Sequence, residues 1–372
     1  MRDEIINMEL SFLALLLAAF SSSVFAALKR TEWKDDWLRN WEVQAMKSQP
    51  ENCPSLFVFP DKCPGILPKY LPARVASTYD QVIPKVIWQT WKSVEASGPN
   101  HYLAVMSFLH DNPEYEYYMF DDASALDFMC TFYPEDALIY QQVTPGAVKA
   151  DLWRLAVMYR YGGVYFDTDC ASTTPLREII WPNASVVTGL GVLRDFHQWA
   201  LIYAPQHNII KSTLKTAARR LRQLYNDQKG GDIVDDTGPG ALSAGVNEAL
   251  QAANCTALAR MQRSPRSDEI MNAQQSAQCQ ESVGVLQIYS GDFLGNKVLF
   301  KHPNADKEKN SVSLYYGHVQ NSHARLFHEV PICSAGRGKV NVGDCVVLAD
   351  AKYEALAKRH AAQVRKLHHK DA

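Results

Sequence analysis

From residue 82 to residue 290, short apolar runs alternate with longer amphipathic ones, and turn residues separate them. In VIPKVIWQTWK, residues Val86 to Thr90 follow a proline stop and read as a core strand. HYLAVMSFLHDNP, from residue 101, has helical spacing and ends at Asn112-Pro113. YEYYMF at 115–120 is aromatic and strand-like. Asp121-Asp122 then opens a helix through Ala125 and Phe128, with acid at its positive end. TPGAVKADLWRLAVMYRYGG predicts a helix between Pro145-Gly146 and Gly162-Gly163, running directly into the strand Val164-Tyr165-Phe166. Further strands are expected at 185–193, 283–290 and 311–320, and helices at 209–225 and 241–252. The second of these helices follows the turn Thr237-Gly238-Pro239-Gly240. Residues 257–281 are polar and rich in Gln and Ala, and read as an exposed insertion. The strand-helix-strand order predicts an α/β fold, not a bundle or an all-β sandwich.

YGGVYFDTDC, at 161–170, carries the sharpest chemical signal. Asp167 and Asp169 stand two apart just past a strand, and in extended backbone such side chains share a side. Two carboxylates held together repel, and a hard divalent cation relieves that repulsion. A polar turn after a core strand is the competing reading. Asp151 and Arg154 are three apart on the preceding helix and share a face. In open α/β sheets ligands bind beyond the carboxyl ends of strands. Trp88, Gln89 and Thr90 at the end of the first strand, and His318 after Leu314–Tyr316, are therefore candidates for the same cleft. The dinucleotide fingerprint, the phosphate-binding Gly-rich loop, the nucleophile elbow and the HExxH zinc motif are all absent from the sequence.

Charge and cysteine content set the context. The 372 residues are 47% hydrophobic and 21% charged, with a formal net charge of -2. That balance argues against nucleic acid as the main partner. Residues 10–28 carry no charge and are long enough as a helix to cross a bilayer. They read as a signal-anchor or as a cleaved signal peptide ending near Val24-Phe25-Ala26, and we favour the anchor. Either reading makes the body luminal, with membrane contact through the N-terminal segment or secretion after cleavage. Asn183-Ala-Ser and Asn254-Cys-Thr are glycosylation sequons. Cys53 with Cys63, and Cys333 with Cys345, flank short segments and are expected as local disulfides in such a compartment. The expected organisation is a signal segment over 1–30, a loosely packed stem over 31–80, a main body over 81–330 and an extension with an amphipathic helix over 331–372.

The ordered motifs resemble the DXD-containing glycosyltransferases of family 32, in particular the fungal initiation-specific α-1,6-mannosyltransferase group. IPKVIWQTWK, VKADLWRLAVMYRYGGVYFDTD, HQWALIYAPQHNII, DTGPGAL, SGDFLGN and YYGHVQNSH are similar to that family's successive blocks and span roughly 82–328. The resemblance implies a GT-A-like fold with a mixed central sheet flanked by helices, and a nucleotide-sugar donor such as GDP-mannose. It also implies a glycan or glycolipid acceptor, Mn2+ or Mg2+, retention of donor configuration, and a Golgi or endoplasmic reticulum membrane location. It casts Asp167, Asp169 and His318 as metal or diphosphate residues, Asp151 and Arg154 as donor contacts, and Trp88 as a ring near the base. Three departures stand out: Ser322-His323 where the family has Ser-Trp, Cys170 after the second Asp, and a late loop, IYSGDFLGN, without the family's proline. These leave the sugar and acceptor open, with another nucleotide sugar, a lipid acceptor or a catalytically inactive glycan-binding member as alternatives.

The topology is directly testable. Expressed in a secretory cell, the chain is expected to shift in mobility on glycosidase treatment, through Asn183 or Asn254. Glycan-free protein open to protease without detergent would overturn the luminal placement.

Overall fold

The computed structural model describes residues 33–47, 66–95, 99–168, 170, 172, 174–190, 196–255, 271–272 and 277–290. The uncharged 10–28 run, Asp169, His318, the 311–320 strand and Cys53, Cys63, Cys333 and Cys345 lie outside them. Among the described residues no helix is long and apolar enough to cross a membrane. The chain divides into units of residues 1–48 and 49–372. In the first, helix α1 (Asp36–Lys47) starts where Asp35 Oδ1 accepts the Leu38 N–H at 3.0 Å, and Lys34 pairs with Glu42 at 2.9 Å.

The second unit is built on a mixed sheet. Its strands are β1 (Tyr70–Leu71), β2 (Val86–Thr90), β3 (Glu116–Phe120), β4 (Gly163–Phe166), β5 (Ala184–Leu190), β6 (Ala200–Tyr203), β7 (Met271–Asn272) and β8 (Val285–Ser290). Their order is β1-β3-β2-β4-β6-β5-β8-β7. Strands β3, β2 and β4 run parallel, as do β5 and β8, and the remaining pairs are antiparallel. This is the expected mixed sheet, flanked by helices. One difference is that β1, with buried Tyr70, and the buried Leu67 before it come from the segment expected to be loosely packed.

Helices cover both faces of the parallel part. On one face, α2 (Pro99–Asp111) sets Val105, Phe108 and Leu109 against Ile87, Tyr117, Met119 and Phe166, with the Phe108 and Phe166 rings stacked at 4.5 Å. On the other lies α5 (Gly146–Tyr161), whose Trp153 and Tyr161 meet Phe120 and Trp88 at 4.9 and 5.5 Å. Burial on both faces explains why these strands read as continuous apolar runs without alternation. The helix α3 (Asp122–Phe132) starts where expected, with Asp121 and Ser124 forming a capping box.

Gly162 and Gly163 let α5 turn straight into β4. Their φ values are +63° and +98°, and a Cβ on Gly163 would lie 2.4 Å from Val86 Cγ1. Only glycine fits there, because β4 must lie beside β2 immediately after the helix ends.

Helix α4 (Pro134–Gln142) and β6 were not expected. Both are short: α4 is one Pro-started segment, and β6 is four residues of an apolar run interrupted by Pro205. The polar 257–281 segment is also corrected in part. Its Met271–Asn272 pairs with β8, and Cys279, in α10 (Ala277–Val283), is buried and bonded to Cys255. Composition marked this stretch as solvated, whereas two short contacts tie it to the body.

The Cys255–Cys279 bridge spans 24 residues, with Cα atoms 5.2 Å apart. Loop-closure entropy for that span gives about 3 kcal/mol of stabilisation. Cys279→Ser is expected to lower unfolding stability by about that amount in denaturant melts. Peptide mapping without reductant should recover the pair, and two free thiols there would remove the bridge from the fold.

Candidate functional site

Because β2, β3 and β4 are parallel, their carboxyl ends share one edge of the sheet, and Asp167 is the first residue beyond β4. The chain does not stay extended there. Thr168 lies in a turn, and the Cys170 N–H reaches the Asp167 carbonyl at 3.1 Å. The described strand ends at Phe166, one residue before Asp167, and the second aspartate of the pair, Asp169, lies outside the described residues. The Asp167 N–H is held by the Trp199 carbonyl at 2.9 Å, which fixes the turn against the chain entering β6.

Behind Asp167 lies a buried charge network carried by α5. The middle of this helix is buried, with Leu152, Trp153, Leu155, Ala156, Val157 and Met158 inside, and Asp151 and Arg154 lie among them, whereas Lys149 and Arg160 stay partly exposed. Asp151 and Arg154 are 3% and 6% exposed, and they pair through Asp151 Oδ1 and Arg154 Nη2. Arg154 Nη1 reaches Asp167 Oδ1 at 3.1 Å and donates to the Gln198 carbonyl at 2.9 Å. The guanidinium lies 5.0 Å from the centre of the Tyr165 ring. Tyr165 in turn donates its hydroxyl to Asp167 Oδ1 at 2.7 Å. Burial pushes that phenol well above its ordinary pKa, so it stays a donor.

One guanidinium thus serves two carboxylates. Burial pushes the Asp151 carboxyl up to about 6. The Arg154 charge and the Thr237 hydroxyl bond oppose that rise, and Asp167 adds to it. Asp167 differs: its side chain is 27% exposed, and its Oδ2 has no partner among the described residues. An anchored carboxylate with one oxygen open is a hard donor that fits a divalent cation such as Mn2+ or Mg2+. Among the described residues no group of three or more His, Cys, Asp or Glu could hold a metal, so a cation at Asp167 would draw further donors from outside them.

The structure brings Asp151, Arg154 and Asp167 together and places Gln89 beside them. Gln89 is buried, accepts from Tyr117 at 2.9 Å and points its amide nitrogen at the Asp167 carbonyl at 3.5 Å. Thr90 bonds the Phe120 carbonyl at 2.9 Å and serves the sheet edge. Trp88 is corrected from a platform for the base to a core residue. It is fully buried, Tyr118 and Tyr161 stack on it, and its Nε1 donates to the Gly162 carbonyl at 2.8 Å. The sequence reading gave no role to Tyr165, Gln198 or Thr237. All three lie inside blocks that carried the family resemblance, VKADLWRLAVMYRYGGVYFDTD, HQWALIYAPQHNII and DTGPGAL, so the signal was positional.

Similarity to known proteins covers part of the chain. Residues 98–186 match the family described as glycosyltransferase sugar-binding region containing DXD motif. The chain is 27% identical over 246 residues to the initiation-specific alpha-1,6-mannosyltransferase of Candida albicans, covering 56% of this chain and 63% of that protein. It is 32% identical over 108 residues to inositol phosphoceramide mannosyltransferase 3 of Schizosaccharomyces pombe, covering 29% of this chain and 30% of that one. The chain therefore spans less than two thirds of the length of either relative. A solved structure, PaToxG Glycosyltransferase, aligns with a TM-score of 0.38 at 16% identity, over 55% of this chain and 78% of that one.

Arg154→Ala is expected to leave Asp151 buried without its counter-charge and to cost about 3–5 kcal/mol of stability. The sign with pH follows from the raised Asp151 pKa. The folded state holds the Asp151 proton more tightly than the unfolded state does, so stability from this group falls as pH rises through about 6. The loss in Arg154→Ala should therefore be larger at about pH 8 than at about pH 5 in denaturant melts. A loss independent of pH would show that Asp151 is not the group left unpaired.

Proposed function

We propose that this DXD-containing glycosyltransferase domain, homologous to the fungal α-1,6-mannosyltransferases and inositol phosphoceramide mannosyltransferases, transfers a sugar from a nucleotide-diphosphate donor to a glycan acceptor with retention. Mannose from GDP-mannose is the donor we favour. The observation that carries the reading is Asp167 at the end of β4, with one carboxylate oxygen held by Arg154 and Tyr165 and the other open.

In the reaction, the bond between the anomeric carbon and the diphosphate oxygen breaks. The acceptor hydroxyl oxygen takes its place on that carbon and loses its proton. A divalent cation bound at the DXD pair supplies neutralising charge for the departing diphosphate. Asp167 and Asp169 are the proposed ligands, with His318 from the late motif as a further one. Arg154 holds Asp167 Oδ1 in place, so that Oδ2 keeps its direction. Among the described residues each Asp151 oxygen takes one partner, which leaves a lone pair on each for a sugar hydroxyl. Arg154 adds positive charge on the donor side.

We place the protein in the secretory pathway, held to the membrane by residues 10–28. The Cys255–Cys279 disulfide supports an oxidising compartment. Asn183 is exposed in the turn that leads into β5, open to glycosylation. A lipid acceptor is the second reading, favoured by the 32% identity to the inositol phosphoceramide enzyme.

The test is a panel of nucleotide sugars with Mn2+, scored for donor hydrolysis and for transfer to an α-mannoside glycan or to inositol phosphoceramide. GDP-mannose is expected to be consumed. Asp169→Asn should cut turnover by about a hundredfold or more, while the melting temperature holds. A variant with normal turnover and unchanged Mn2+ dependence would return the DTD turn to a structural role.

A further inference from the structure

Four groups near Asp167 close into a ring of hydrogen bonds. Arg154 Nη2 donates to Asp151 Oδ1, and the Thr237 hydroxyl donates to Asp151 Oδ2 at 2.6 Å. The Gln198 amide donates to the Thr237 carbonyl at 2.7 Å. Arg154 Nη1 donates to the Gln198 carbonyl at 2.9 Å and closes the ring. Gln198 is 2% exposed and Thr237 is fully buried. The members come from α5, from the chain just before β6, and from the turn ahead of helix α9 (Pro239–Ala252), three segments far apart in sequence.

We infer that Thr237 is a positioning residue, whose hydroxyl orients Asp151 to draw part of the Arg154 charge away from Asp167 and so keeps Asp167 receptive to a cation. The argument is one of competition. Arg154 touches both carboxylates, and a guanidinium drawn wholly to Asp167 would oppose a metal ion there. Asp151 can share that charge only while its carboxylate stays turned toward Arg154. The Thr237 hydroxyl is the bond on its other oxygen. A buried carboxylate stripped of that donor loses both an orienting contact and a stabilising one. Gln198 fixes the Thr237 backbone, so the hydroxyl is held at its station by the chain that also holds Arg154.

The inference rests on the transferase reading only for its turnover arm, because Mn2+ alone reports on Asp167 without a donor. Thr237→Val keeps the shape and removes the hydroxyl, whereas Thr237→Ser keeps the hydroxyl. Mn2+ affinity by titration calorimetry and donor turnover would be measured on the full chain for wild type and both variants. Thr237→Val is expected to weaken Mn2+ binding several-fold and lower kcat by about tenfold or more, with Thr237→Ser within about twofold of wild type on both. A purely structural role would lower the melting temperature of Thr237→Val without changing Mn2+ affinity in the folded protein, and that result overturns the inference. Equal losses in the Ser and Val variants also overturn it, since the hydroxyl would not be the cause. If Thr237→Val does not fold, Gln198→Leu releases the Thr237 carbonyl while leaving the Gln198 carbonyl to Arg154. Wild-type Mn2+ affinity in folded Gln198→Leu counts against the inference, and a several-fold loss supports it. Wild type that binds Mn2+ but consumes no donor would sink the transferase reading alone, and wild type that binds no Mn2+ would sink both.

Discussion

The Arg154 guanidinium, shared between Asp151 and Asp167, is the interaction on which the site depends. It exists because the middle of α5 is covered: the sheet takes one side, and helix α7 (Asn208–Asp227) packs against it as well. Lys149 and Arg160 on that helix are partly exposed, but Asp151 and Arg154 lie on its covered part. Two charged residues can remain inside only if each has a partner and the remaining lone pairs and protons are satisfied. Thr237, Gln198 and Tyr165 meet that demand, and each of the three comes from a different segment of the chain. The paired charges are therefore held by tertiary structure and not by the helix alone.

A division of labour follows between the two oxygens of Asp167. Oδ1 faces inward to Arg154 and Tyr165, and Oδ2 has no partner among the described residues. The inward bonds set the direction of the outward one, which is what a metal or diphosphate site requires of a carboxylate. Backbone geometry reinforces this. The parallel run of β3, β2 and β4 delivers Asp167 to the ligand-binding edge of the sheet, and the glycine pair ahead of β4 lets helix and strand meet without a connecting loop.

The remainder of the sheet is held by polar links reaching across segments. His207 caps α7 through the Ile209 N–H at 3.2 Å and reaches the Val283 carbonyl at 2.8 Å with its other nitrogen. Burial holds its pKa below the usual imidazole value, in keeping with a neutral ring that accepts at one nitrogen and donates at the other. Buried Gln287 on β8 bonds the Ile179 carbonyl and the Trp181 N–H. Together with the Cys255–Cys279 bridge, these links fasten the β8 region to the body. The chain that carries Gln198 into β6 is thereby backed by a sheet held at several points.

Much of the fold was legible in the sequence. The runs at 86–90, 115–120 and 164–166 became parallel strands, and the helix between Pro145 and Gly162 appeared at its expected place. These elements are strongly apolar or sharply bounded, and local preference agrees with the tertiary outcome. The sequence by itself also singled out Asp151 and Arg154, by their three-residue spacing on one helix face and by the family resemblance, and Asp167, by its place directly after a strand. It did not determine how the three are used. Trp88 looked like a stacking surface and proved to be core, since an aromatic at a strand end reads the same whether its faces are covered or open. Strand β6, the Cys255–Cys279 pairing, and the roles of Thr237, Gln198 and Tyr165 were decided only by tertiary structure. Each depends on contacts between residues distant in sequence, and neither periodicity nor spacing encodes which distant group will satisfy a buried hydrogen bond.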